Sequence, residues 1–129
     1  MLQIILIALV VFVGQTSEPI AVTHLESIAY PVVARDAQVQ GTVEVDVDIS
    51  PDGAVISALA NSGHPALKRP AEENIRRWRF APANTKRSFS IVYEFSLEEP
   101  RLPYGSETKN YFDLPSKVRV VTNLRARTN

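Results

Sequence analysis

Apolar and polar residues alternate strictly from Thr42 to Ile49: Val43, Val45, Val47 and Ile49 interleave with Thr42, Glu44, Asp46 and Asp48. A period of two puts the branched side chains on one strand face, buried, and the carboxylates on the other, wet. Ser88 to Leu97 repeats the pattern, with Phe89, Ile91, Tyr93 and Phe95 on one side. Between these runs, Ser50-Pro51-Asp52-Gly53 reads as a turn. Proline presets φ at the first corner and Asp-Gly supplies the left-handed position, so Thr42–Ile49 and Ala54–Asn61 form a hairpin. Ala54–Asn61 is small or apolar on both sides, which predicts a place in the middle of the sheet.

Between Ser62 and Pro82 the period becomes helical. Leu67, Ala71, Ile75 and Trp78 recur as one stripe. Pro70 interrupts it, and a proline inside a helix loses a hydrogen bond and clashes with the preceding turn, at about 3 kcal/mol. The regular helix is therefore expected to begin near Pro70, with Pro65–Arg69 as a tighter turn. Its basic last turn suits the negative end of the helix dipole. A shorter helix is expected over Pro31–Ala37, with proline in the first turn and Gly41 ending it. The expected core is Val43, Val45, Val47, Leu67, Ile75, Trp78 and Phe80. After a break at 98–103, Asn110–Leu114 and Lys117–Leu124 are strand-like and either extend the sheet or form a partly ordered tail. The predicted architecture is α+β: a three-stranded antiparallel sheet with two short helices on one face, and extra strands if the tail joins it.

The start of the chain has another character. Leu2–Val13 is apolar apart from Gln3. It is shorter than the roughly 20 residues that span a bilayer, and it fits the apolar part of an export signal with Gly14–Ser17 as a loose cleavage region, or a short uncleaved membrane anchor. The organisation read from these patterns is 1–17 signal or anchor, 18–28 linker, 29–99 a single domain and 100–129 a basic tail. Apolar content of 45% supports one modest core. A formal net charge of zero argues against a nucleic-acid partner. The balance hides an acidic stretch, Glu18–Asp52, and a basic one, Lys68–Arg87, read as complementary to each other. The chain has no cysteine, so disulfides, thiolate chemistry and cysteine-linked lipid are excluded.

No catalytic set assembles. His24 and His64 lack ligand spacing to each other, and His64, between Gly63 and Pro65, reads as a turn residue. Ser62 lacks the setting of a nucleophile, and Gly41, Gly53 and Gly63 are isolated, so no phosphate-cradling loop exists. Glu44, Asp46 and Asp48 read as a solvated face, and the arginines at 76–79 as partners of acidic neighbours. No enzymatic activity, metal or cofactor is expected.

Five motifs nevertheless follow one another in order: Tyr30-Pro31; Gln40-Gly41-Thr42-Val43; Pro51-Asp52-Gly53-Ala54-Val55; Ser62-Gly63-His64-Pro65-Ala66-Leu67; and Arg77-Trp78-Arg79-Phe80-Ala81-Pro82. In order and spacing they resemble the TonB C-terminal domain family over about Ala29 to Leu97. The resemblance implies a periplasmic protein-interaction module of Gram-negative bacteria, exported or anchored in the inner membrane through residues 2–13. It implies capture of an extended peptide, such as the plug segment of a TonB-dependent outer-membrane receptor, by strand addition at a sheet edge. By resemblance the edge is Ser88, Phe89, Ser90, Ile91, Val92, Tyr93, Glu94 and Phe95, with Ala29 and Tyr30 near the partner. Two alternatives remain open: an energy-transducer component of TonB-type transmembrane transport, and a structural domain that self-associates as a homodimer or caps its edge with its own tail. No Pro-rich spacer separates Val13 from Ala29, unlike the classical transducer.

Overall fold

The two strongly alternating runs lie side by side. Strand β2 (Gly41–Ile49) pairs antiparallel with β5 (Arg87–Glu98), so that Val43 faces Tyr93, Val45 faces Ile91 and Val47 faces Phe89. The structure is a computed structural model that describes residues 20–99 and 108–124. Leu2–Val13 and Gly14–Ser17 lie outside the described residues. The remaining elements are β1 (Val22–His24), α1 (Val32–Asp36), β3 (Val55–Ser62), α2 (Pro65–Arg76), β4 (Arg79–Phe80), β6 (Lys109–Asp113) and β7 (Lys117–Asn123).

The main sheet has five strands rather than three, in the order β3-β2-β5-β7-β6. It is mixed rather than purely antiparallel, because β7 runs parallel to β5 from Val92 opposite Lys117 to Glu98 opposite Asn123. The tail joins because Val118, Val120 and Thr122 continue the buried face of β5 with side chains that leave no exposed surface to speak of. A second, two-stranded ladder pairs β4 with β1, and β1 lies inside the stretch read as linker.

Strand β3 is an edge strand, not a central one. Only Ala58 of it is fully buried, while Ile56 and Leu59 are 57% and 65% exposed. Its pairing with β2 breaks register twice, skipping Ile56 and Asn61. Such bulges twist an edge away from further pairing. The aromatic side chains of β5 bury far more apolar surface than the small ones of β3, so β5 takes the central position.

Both helices cover one face. Leu67, Ala71, Ile75 and Trp78 are fully buried against Val43, Val45, Val47, Ile49 and Phe80. Helix α2 begins at Pro65, not near Pro70. His64 caps it, accepting the Ala66 N–H on Nδ1 at 3.0 Å, and Pro65 fills the first position, where no donor is needed. Pro70 sits inside the helix and forfeits the one bond that would reach Ala66. Burial of Leu67, worth about 1.5–3 kcal/mol, offsets that cost and holds the first turns in place. Pro70→Ala is expected to stabilise the domain by about 1–3 kcal/mol, read as a higher urea midpoint; a lowered midpoint would contradict this balance.

Helix α1 ends differently from expectation as well. Gln38 adopts the left-handed conformation at φ 55°, and the Val39 N–H turns back to the Ala34 carbonyl at 2.7 Å. Gly41 instead opens β2. A non-glycine residue can serve here because the αL basin is only mildly unfavourable for it.

Candidate functional site

A domain of this kind can recruit an extended chain only where a strand edge is regular and open. Strand β3 fails that test at its two bulges. On β5, Ser88, Ser90, Val92 and Glu94 point to the open outer face, while Phe89, Ile91, Tyr93 and Phe95 point inward. One flank of β5 is paired with β2 from Arg87 to Phe95. The other flank is divided. From Val92 onward it carries β7, beginning with the Val92 N–H donating to the Ser116 carbonyl at 2.9 Å. Beside Ser88–Ile91 there is no strand on that flank among the described residues.

The tail is held at both of the places where a partner is expected. On β5, Lys117 lies 2.9 Å from Glu94, and this hydrogen bond holds the Glu94 carboxyl below the usual carboxylate range. Near the Tyr-Pro motif, Asn110 clasps the main chain of Ile28. Its Oδ1 accepts the Ile28 N–H at 2.6 Å and its Nδ2 donates to the Ile28 carbonyl at 3.0 Å. Arg35 of α1 donates from Nε to the Asn123 carbonyl at 2.7 Å. Tyr30 is buried, packs edge-on against Phe95 at 5.5 Å and donates its hydroxyl to the Val39 carbonyl; burial raises its pKa. Ala29 is exposed beside it.

The carboxylates of the outer sheet face are answered by neighbouring side chains. Asp46 accepts hydrogen bonds from Asn61 at 3.0 Å and Ser90 at 2.8 Å, which lower its pKa. Asp48 takes Ser88 at 2.5 Å and lies 3.7 Å from Lys86. A shallow groove of about 650 Å³ runs over Glu94, Tyr111, Lys117 and Arg119, with the Arg119 guanidinium 4.8 Å above the Tyr111 ring. The arginines at 76–79 meet carboxylates or main chain: Arg76 to Glu72 and Arg77 to Glu26, each at 3.8 Å, and Arg79 to the Trp78 carbonyl at 2.8 Å. His24 and His64 stay apart, one beside Glu26 and the other capping α2.

Three residues that organise the site were not singled out by sequence reasoning: Asn74, Asn110 and Arg35. Asn74 ties the segment before Tyr30 to the core, donating to the Glu26 and Ser27 carbonyls. A signal existed for two of them. Asn74 lies four residues before Trp78, within reach of an indole N–H, and Asn110 takes an inward position two residues before Phe112.

Comparison with known proteins adds an independent line. Residues 26–97 match the family described as Gram-negative bacterial TonB protein C-terminal. Over 83 residues the chain is 30% identical to Protein TonB of Klebsiella pneumoniae, covering 63% of this chain and 34% of that protein. Over 55 residues it is 36% identical to Protein TonB of Escherichia coli (strain K12), covering 41% of this chain and 23% of that protein. The matched part thus spans about a third or less of the length of these relatives.

Proposed function

The chain belongs to the Gram-negative bacterial TonB protein C-terminal family, and from that premise we propose that it is a periplasmic protein-interaction module serving TonB-type transport. It binds an extended segment, such as the plug of a TonB-dependent receptor, by strand addition along β5. One observation carries this reading: β5 is the only strand of the family-matched region whose outer flank is regular and, beside Ser88–Ile91, unpaired among the described residues. Main-chain hydrogen bonds supply affinity in this mode, and alternate side chains supply selectivity. Export through residues 2–13, with or without retention as an inner-membrane anchor, belongs to the same reading. The chemistry is binding rather than catalysis.

The test is a titration of the isotopically labelled chain with synthetic receptor plug segments, followed by NMR. Amide shifts are expected along Ser88–Leu97 and at Ala29–Tyr30. Shifts absent from Ser88–Leu97 at saturating peptide overturn the proposal.

A further inference from the structure

Strand β3 is an edge without the usual guards. Val55–Ser62 contains no charged residue and no proline, the residues that commonly blunt such edges. Ile56 and Leu59 stand exposed on it, and its second flank has no neighbouring strand among the described residues. The two bulges leave a regular window between them: Asp48 opposite Ser57, Val47 opposite Ala58, Asp46 opposite Leu59 and Val45 opposite Ala60. The hairpin sets the parity of this ladder. The Ser50 N–H donates to the Ala54 carbonyl at 2.8 Å, so Asp48 and Asp46 also bond towards β3. The Val92 N–H, which points to β7, gives the same parity from the other side of β2. Ser57 and Leu59 therefore direct their main-chain groups to β2, and Ala58 and Ala60 turn theirs to the free flank. On that flank Arg76 of α2 donates from Nη2 to the Ala58 carbonyl at 2.9 Å. Glu72, one turn earlier on the helix, lies 3.8 Å from the same nitrogen.

We propose that Arg76 is an edge lock: it closes β3 to strand pairing, and without it β3 pairs with β3 of a second copy of this chain. A second copy fits because the window is self-complementary. In an antiparallel pair about a two-fold axis at Ala58, each Ala58 exchanges both main-chain bonds with its counterpart. Leu59 then comes opposite Ser57 of the second copy, which is small and neutral, and no charge on either strand opposes the approach. Arg76 prevents this in three ways. Its planar guanidinium occupies the Ala58 carbonyl, its bulk stands where the incoming strand would lie, and two copies would bring two Arg76 cations together across the axis. The helix thus supplies the charged guard that the strand itself lacks. The lock is read from β3 and α2 alone and goes beyond the receptor reading; within that reading, it directs extended partners to β5.

The test compares the full chain with Arg76→Ala, Arg76→Gln and the double variant Arg76→Ala, Leu59→Lys, by sedimentation over a range of concentrations and by amide exchange. Arg76→Ala is expected to shift from one chain to two as concentration rises, and the Ala58 and Ala60 amides, which face the free flank, are expected to gain protection. Leu59→Lys puts a charge on the edge itself and is expected to return the double variant to a monomer. Arg76→Gln keeps a donor for the Ala58 carbonyl and removes the charge. It is expected to dimerise more weakly, and it carries the test if Arg76→Ala loses the fluorescence of buried Trp78. Equal association of the unaltered chain and the Arg76 variants overturns the inference. So does association that Leu59→Lys leaves unchanged, or new protection that appears in β5 or β6 and not in β3. A receptor plug segment that binds β5 while every form stays monomeric refutes the lock and leaves the receptor reading standing. Dimerisation through β3 with no plug segment bound by any form does the reverse.

Discussion

Replacing Asn74 by alanine is expected to destabilise the domain by about 2–4 kcal/mol, because two buried donors and two part-buried carbonyls lose their partner at once. Asn74 is 3% exposed and all of its hydrogen-bonding capacity is used. Nδ2 donates to the carbonyls of Glu26 and Ser27, each at 3.2 Å. Oδ1 accepts the Trp78 indole N–H at 3.1 Å and the Tyr93 hydroxyl at 2.8 Å. One amide thereby joins the lead-in segment, α2, Trp78 and the central strand. An unsatisfied buried donor or acceptor costs about 1–3 kcal/mol, and total stability for a domain this size is only about 5–15 kcal/mol. Urea denaturation measures the loss directly. Tyr93→Phe removes a single donor and leaves the rest of the network intact, so its cost is expected near 1 kcal/mol. If Asn74→Ala cost no more than Tyr93→Phe, the network would not be the tie described.

Gly53→Ala is the second large effect, expected at about 3 kcal/mol or more and a melting temperature lower by roughly 10 °C. Gly53 has φ +94°, and an added Cβ would stand 1.9 Å from the Phe80 carbonyl oxygen and 2.9 Å from its carbon. Both are main-chain atoms that no side-chain rotation can move. The contact is close because the turn is bound to β4: the Phe80 N–H donates to the Gly53 carbonyl at 2.9 Å and the Ala83 N–H to the Pro51 carbonyl at 2.8 Å. A methyl group must break that docking as well as strain the backbone. Gly41→Ala is the control. Gly41 also has positive φ, at +141°, but nothing lies within 4 Å of its added Cβ, so only the conformational cost remains. Thermal melts of both variants separate the two contributions; equal losses would remove the steric argument.

Gly53 also shows where local reading stops. The Pro-Asp-Gly signature identifies a turn and the need for positive φ there, but the approach of Phe80 comes from a strand more than twenty residues away. Pro70 shows the opposite error. Local propensity argues for a helix start at that residue, and the burial of Leu67 one turn earlier outweighs it. The expected edge is a third case. Ser88–Leu97 is readable as a strand from its alternation, whereas the parallel docking of Lys117–Asn123 on half of it is not, since a parallel pair leaves no turn signal between its members.

The sequence by itself determined what is periodic and local: the alternating strands around Val43–Ile49 and Phe89–Phe95, the Ser50–Gly53 turn, the Leu67–Trp78 stripe and the family. These depend on neighbours a few residues apart, where sterics and burial act through fixed spacings. Only the tertiary structure decided strand order, the exposure of β3, the Asn74 and Asn110 ties and the tail's seat on β5. Each of those depends on which long-range pairing buries the most apolar surface while pairing the buried polar groups, a competition among distant segments that no local pattern records.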